Sequence, residues 1–364
     1  KIYDLSSVSF QASFGFKHTI LIESINKQLY QMPLSGPKII TDEKVSITNK
    51  LLDYINLGSG KIFYTTSGAE SVENALKMAR QIRNSKIVLA RTRSYHGATL
   101  GAISVTGDWR NKDHFTTEDW VKRIPEPKDD PDLTQTRKII KEIGQNNIAA
   151  IILETITGAN GVIIPSKKWW KGIQDICDES GILLILDEVI CGFQRTGLPF
   201  GFNHFQLRPD FICLAKSLTA GMIPMGAIWT SPKIYQYYEN KVLSCGLTNY
   251  AHPLGLAAIN GVLELLKTKE IQNKYKRNEQ IIEKFNQQMQ HSEFVTETRS
   301  IGLLTAIELT YSITHDQLLS KGISCVLREN QVILAPAYNF DSTILSQKLN
   351  LLETIINQGP NHET

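Results

Sequence analysis

The sequence predicts an α/β protein: a large domain on a mostly parallel sheet with helices on both faces, then a smaller α+β domain. Three observations predict it. Apolar runs of strand length alternate with amphipathic helical patterns through the first two thirds of the chain. Two of those runs, "NIAAIILET" and "GILLILDEV", are continuous rather than alternating, as strands covered on both faces are. After "HPLGLAAINGVLELLKTKEIQNKYKRNEQIIEKFNQQM" the pattern changes, and a long helical stretch leads into "SIGLLTAIEL", "GISCVL" and "QVILAP".

The elements follow in order. A short strand region precedes a helix around "TILIESINKQLYQM". "KVSITNKLLDYI" is amphipathic, and "KIFYTTSGAESVENALKMARQI" reads as strand, turn and helix. "KIVLA" is a β-branched strand. Residues 112–135, with "KRIPEPKDDPDL", are polar and proline-bearing and read as a surface excursion. "SKKWWKGIQDICDESGILLILDEV" is a helix stopped at Gly181 and a buried strand, and "DFICLAK" is one more strand. The boundaries expected are an N-terminal segment 1–40 contributing to the small domain, a large domain 41–260 and a small domain 261–364.

Composition bounds the function. Of 364 residues, 42% are hydrophobic and 21% charged, the balance of an ordinary soluble domain pair. The formal charge is +3 with scattered basic residues, so no nucleic-acid partner is expected. The five cysteines lack CxxC spacing and read as free thiols of a reducing compartment, hence cytoplasmic, with no metal site. No run reaches membrane-spanning length. No signal peptide is expected; the opening at Lys1 leaves processing or truncation there open.

Ligands of such a sheet meet the carboxyl ends of its strands. After "KIFYTT", Ser67 can cap a helix, with Glu70 completing a capping box, and Gly68 lets backbone approach a ligand. A helix start after a strand is an anion site, although alone this is also an ordinary capped helix. After "GILLIL" come Asp187 and Glu188, carboxylates that are costly to bury without a cation; the plainer alternative is a solvated strand end. After "DFICLA" comes Lys216, flanked by "LTAGMIPMGAI", which leaves little solvent-facing surface for what would otherwise be a surface lysine. A desolvated lysine is a Schiff-base nucleophile, an aspartate can hold a pyridinium nitrogen protonated, and a helix start can hold a phosphate. Together they describe a pyridoxal 5'-phosphate site. Tyr95, in "RSYHGATLGA", is an aromatic able to stack on the pyridine face; its alternative is core packing, with His96 a satisfied polar neighbour.

Those segments, with "ETITGANGVIIP", "LILDEVICGFQRTG", "AKSLTAGMIPMGA" and "TNYAHPLGLAA", occur in an order that resembles the class III (ω-aminotransferase-like) family of fold type I pyridoxal phosphate enzymes. The resemblance implies Lys216 as the Schiff-base lysine and Asp187 as the pyridinium partner. It implies phosphate-binding amides at Gly68 and Ala69 beside Ser67, Tyr95 and Val189 on the two ring faces, and Glu154 near the cofactor with His96. Thr248 would reach the phosphate of a neighbouring subunit, implying a homodimer. Arg195 looks like a structural ion-pair residue, and Arg328 stands roughly where the family often has a carboxylate-binding arginine; its alternative is a solvated loop arginine. Departures include Ile190 for a frequent glutamine, Gln194, Ser217 and Ala220 for glycines, and "PAY" for a double proline. The implied activity is an aminotransferase moving an amino group from an ω-amino acid or amine to a keto acid such as pyruvate. Diaminopelargonate or acetylornithine/ornithine substrates, and racemase or aminomutase chemistry, stay open on the same scaffold.

Overall fold

The computed structural model describes residues 1–112 and 118–360. Its apolar runs become one sheet, which among the described residues has seven strands. In chain order these are β1 (Lys61–Thr65), β2 (Ile87–Arg91), β3 (Val121–Ile124), β4 (Ile148–Glu154), β5 (Leu183–Asp187), β6 (Phe211–Leu214) and β7 (Gly226–Thr230). Their order across the sheet is β1-β7-β6-β5-β4-β2-β3. β7 runs antiparallel to both its neighbours, and every other pair is parallel. β4 and β5 are buried at every position, which is why their sequences show no alternation.

Two strands depart from the sequence reading. β3, "VKRI", lies within the polar stretch read as a surface excursion. It buries Val121 and Ile124 and exposes Lys122, a short charged strand at the sheet edge. The same stretch buries Glu126, whose carboxylate accepts from the Arg93 amide (2.7 Å) and the Thr92 hydroxyl (3.0 Å). Residues 113–117 of that stretch lie outside the described residues. β7, "GAIWT", has no turn signal ahead of it beyond glycine and proline, and its pairing is set by β1 and β6 rather than by its own pattern.

A second sheet is antiparallel: β8 (Val295–Ile301), β9 (Leu304–Leu309), β10 (Val326–Arg328) and β11 (Gln331–Leu334), ordered β10-β11-β9-β8. The helix Lys269–Met289 packs on it, and Ser342–Asn357 packs on that helix. Tyr3–Asp4 pairs in parallel with Ile323–Ser324, tying the N-terminal segment to this second unit. An apolar cluster that includes Phe10, Ile156, Ile190, Leu304 and Ile333 fills the seam between the two sheets. Ser7 through Phe10 all adopt left-handed backbone, with φ from 49° to 71°. The Asp4 carboxylate, accepting from the Ser6 (2.8 Å) and Val8 (2.5 Å) amides, and the Ser7 hydroxyl on the Ala335 carbonyl (2.6 Å) hold that turn.

Arg195 is structural, but its partners are not the carboxylate expected. Its guanidinium donates to the Pro336 carbonyl (2.7 Å) and the Ser13 hydroxyl (3.4 Å), and lies 4.8 Å from the centre of the Tyr338 ring. Gln194 and Ala220, standing where the resemblance has glycine, take φ of 74° and 51°. A side chain there costs roughly 1–2 kcal/mol. The buried Oε1 of Gln194 has no partner among the described residues, so nothing bonded is lost with it. Gln194→Gly should therefore raise stability by up to about 1 kcal/mol once the greater freedom of unfolded glycine is deducted. A urea titration of the two proteins checks this; a lower midpoint for the variant would contradict it.

Candidate active site

The parallel register assembles the site. Glu154, the last residue of β4, pairs with Asp187, the last of β5, and Asp187 pairs with Cys213 of β6. Paired residues share a sheet face, so two carboxylates stand side by side at the carboxyl edge. β6 then ends in a tight turn that begins at Lys216, itself left-handed at φ 46°.

Each carboxylate has distinct work. Asp187 Oδ2 meets His96 Nδ1 at 2.8 Å, and Oδ1 accepts from the Val189 amide at 3.0 Å. Glu154 accepts from the Tyr95 amide (3.1 Å) and the Gly158 amide (3.0 Å), fixing both loops; burial pushes its carboxyl above the ordinary range, against the pull of His96. Glu188 turns to the other side. It accepts from the Thr155 hydroxyl (2.6 Å) and the Gly201 and Phe202 amides (2.9 and 2.8 Å), and burial pushes it up to about 7. It is a structural carboxylate.

The helix Gly68–Arg83 starts beside them. Ser67 accepts from the Glu70 amide at 3.1 Å, the expected cap. Glu70, however, reaches back to the Thr66 amide (2.6 Å) and hydroxyl (2.8 Å), not to Ser67, so the reciprocal capping box does not form. The Gly68 and Ala69 amides, at the first helical positions, have no partner within the helix. A Cβ at Gly68 would sit 3.0 Å from Val189 Cγ2 and 3.4 Å from Ala215 Cβ, so glycine is what brings this start against Val189 and the residue before Lys216. A Cβ at Gly226 would lie 2.4 Å from the Ser67 carbonyl, so β7 supports the turn from beneath on the same condition.

Lys216 opens onto the cleft from this floor, half-buried, with Nζ 5.4 Å from the centre of the Phe10 ring. Burial holds its amine below the usual lysine value; Asp187 and Glu154 oppose that shift, and Arg110 adds to it. Phe10 and Arg110 were not legible in the sequence, because each comes in from a distant segment. The Arg110 guanidinium lies 4.3 Å from the centre of the Tyr95 ring and pairs with Asp108. Arg328, on β10, reaches to 5.9 Å from the centre of the Trp109 ring, which also lies 5.1 Å from the Arg110 guanidinium. Burial and the nearby Arg110 charge press its guanidinium below its usual value. Thr248 stands apart from the other residues, exposed on a loop that with Pro37, Lys38, Leu243 and Tyr250 lines a groove of about 390 Å³.

These residues fit pyridoxal phosphate. The buried Nε2 of His96 has no partner among the described residues, the helix start offers two unpaired amides, and an amine, a carboxylate and an aromatic ring converge between them. No group of metal-ligating side chains occurs among the described residues, and no described helix is long and apolar enough to cross a membrane.

The model of the aminotransferase class-III family matches residues 1–356. A putrescine–pyruvate aminotransferase of Pseudomonas aeruginosa is 28% identical over 355 residues, 91% of this chain and 78% of that protein. An omega-aminotransferase of Caulobacter vibrioides is 31% identical over 337 residues, 85% of this chain and 76% of that one. Among solved structures, the taurine:2-oxoglutarate aminotransferase of Bifidobacterium kashiwanohense, in complex with PLP and glutamate, superposes with a TM-score of 0.92. It is 29% identical and covers 98% of this chain and 88% of its own.

A lysine whose amine is easier to deprotonate than its neighbours' reacts at lower pH. In the cofactor-free protein, trinitrobenzenesulfonate at about pH 8 should label Lys216 ahead of the exposed lysines, with the labelling profile shifted to lower pH. Peptide mass spectrometry reads this; a Lys216 profile matching that of surface lysines would contradict it.

Proposed function

The chain belongs to the class III aminotransferases, and from that premise we propose that it moves an amino group from an ω-amino acid or amine donor to a keto acid such as pyruvate. The observation that carries this reading is the buried amine of Lys216 beside the apolar Phe10 ring at the carboxylate edge of the sheet, with Arg328 by Trp109 as a cation for an acid group. The donors and acceptor named for the relatives, putrescine, ω-amino acids and pyruvate, support it.

The cofactor is pyridoxal 5'-phosphate. Lys216 would anchor it, Asp187 would face its ring nitrogen, Tyr95 and Val189 would flank the ring, and Ser67 with the Gly68 and Ala69 amides would take the phosphate. When bound, it supplies an electron-poor ring that accepts the electron pair released at the donor's amino-bearing carbon. Around that chemistry the chain's groups have defined work. Asp187, fixed by His96 and the Val189 amide, keeps a negative charge where a ring proton must be held. Lys216 Nζ, made less basic by burial, takes up the proton leaving the donor carbon. Glu154 keeps Tyr95 in place through its amide. Arg328 holds the acid group of the keto acid.

Thr248 belongs to a second copy's site in this reading. Its loop is exposed, and Ile40 and Val242, in the same stretches that line its groove, are exposed apolar residues. The working unit is a homodimer, or a tetramer of such dimers.

Two experiments test the proposal. Adding putrescine or β-alanine to the holoenzyme should shift the cofactor absorbance and release an aldehyde or keto product, and pyruvate should then reverse the shift while forming alanine. Shift without alanine would leave a racemase or mutase. Sedimentation should show a dimer or tetramer, and Thr248→Ala should weaken phosphate-dependent cofactor retention roughly ten- to a hundredfold without dissociating it. An active monomer would contradict the shared site.

A further inference from the structure

Resting on the reading of Lys216 as the amine of the transamination site, we propose that Ser13 is a positioning residue for it. The Ser13 hydroxyl, paired with that of Ser217, ties the turn carrying Lys216 to the N-terminal segment, and through that segment to the second sheet. Ser13 Oγ and Ser217 Oγ lie 2.5 Å apart, and both residues are buried. Arg195 Nη2 donates to the same Ser13 oxygen (3.4 Å), which leaves the Ser13 hydrogen for Ser217. Among the described residues, this pair is the one side-chain hydrogen bond that links the turn 215–223 to the rest of the chain. The Thr219 hydroxyl stays within the turn, on the Ile223 carbonyl (2.7 Å).

The turn needs holding. Lys216, Ala220 and Gly221 take φ of 46°, 51° and 74°, and left-handed backbone is unfavourable for the two residues with side chains. Its own backbone bonds are short-range: the Leu218 amide reaches the Ala215 carbonyl, and the Thr219 and Gly221 amides share that of Lys216. The other side of the pair is firm. The Ser13 carbonyl accepts from the Tyr338 amide (2.7 Å), the Leu5 carbonyl accepts from the Ala335 amide (2.7 Å), and Arg195 also donates to the Pro336 carbonyl (2.7 Å). The same segment sets the Phe10 ring centre 5.4 Å from Lys216 Nζ and lays Gln11 on the turn, where a Cβ at Gly221 would stand 3.0 Å from Gln11 Cγ. Ser217 stands where the resemblance has glycine, so the hydroxyl that completes the pair is this chain's own. Without the pair the turn relaxes and Nζ gains water. Burial is the largest influence on that amine; Asp187, Glu154 and Cys191 oppose it, and Arg110 adds to it. Gaining water therefore raises its affinity for a proton.

Labelling the cofactor-free protein with trinitrobenzenesulfonate across pH tests this without any turnover. In Ser13→Ala and in Ser217→Ala, the Lys216 labelling midpoint should move to higher pH by about half a unit or more, with the profiles of exposed lysines unchanged. The double variant should shift no further than the larger single, because both substitutions remove one bond. In the cofactor-loaded enzyme, each single variant should slow single-turnover amine transfer roughly three- to tenfold, with the donor's Michaelis constant changed by less than about twofold. A lower melting temperature with the Lys216 profile unmoved would reduce the pair to ordinary packing and overturn the proposal, as would shifts that add in the double variant. Should Ser13→Ala fail to fold, the Ser217→Ala profile decides alone. Failure of the unmodified enzyme to transfer an amino group, with the labelling pattern intact, would overturn the transaminase reading alone.

Discussion

The site depends on a constraint of the sheet: parallel pairing puts Glu154 and Asp187 opposite each other at the ends of two fully buried strands. Two carboxylates in a dry edge repel and are costly to desolvate. The surroundings compensate. Asp187 is met by His96 and the Val189 amide, and Glu154 by two backbone amides. Removing one partner of such a buried pair costs about 3–5 kcal/mol, so the composition of this edge is tightly constrained.

The same charges set the chemistry. Burial makes Lys216 a better base and nucleophile at neutral pH, while the carboxylates prevent it from losing all affinity for protons. Glycines at 68 and 226 let the helix start and β7 close on this edge, and the left-handed turn at Ser7–Phe10 sets an aromatic wall above it. From the second sheet, β10 carries Arg328 toward Trp109 of the first unit.

Much of this was legible in the sequence because the signals are local. Continuous apolar runs announced β4, β5 and β6, and the residues just after them were the ones to inspect. Ser67 announced itself as a cap. What escaped reading is tertiary. β7 is a strand only because β1 and β6 pair with it, and β3 is an edge strand inside a proline-bearing polar stretch. The Glu70 side chain bonds one residue earlier than a capping box requires, a choice set by the Thr66 hydroxyl. Arg110 follows Trp109 in an unremarkable turn, and only the fold lays it on Tyr95. Gln194 and Ala220 looked like departures from a pattern; their positive φ shows the backbone kept the shape that glycine would favour.

The central claim is that the charge of Asp187, not merely its hydrogen bonds, drives the reaction. Asp187→Asn keeps the size and an acceptor for the Val189 amide while removing the charge. The direct measurement is the single-turnover rate of amine transfer in the cofactor-loaded variant. The account predicts that cofactor remains bound and that the rate falls by about a hundredfold or more. A loaded variant turning over at the unmodified rate would contradict it.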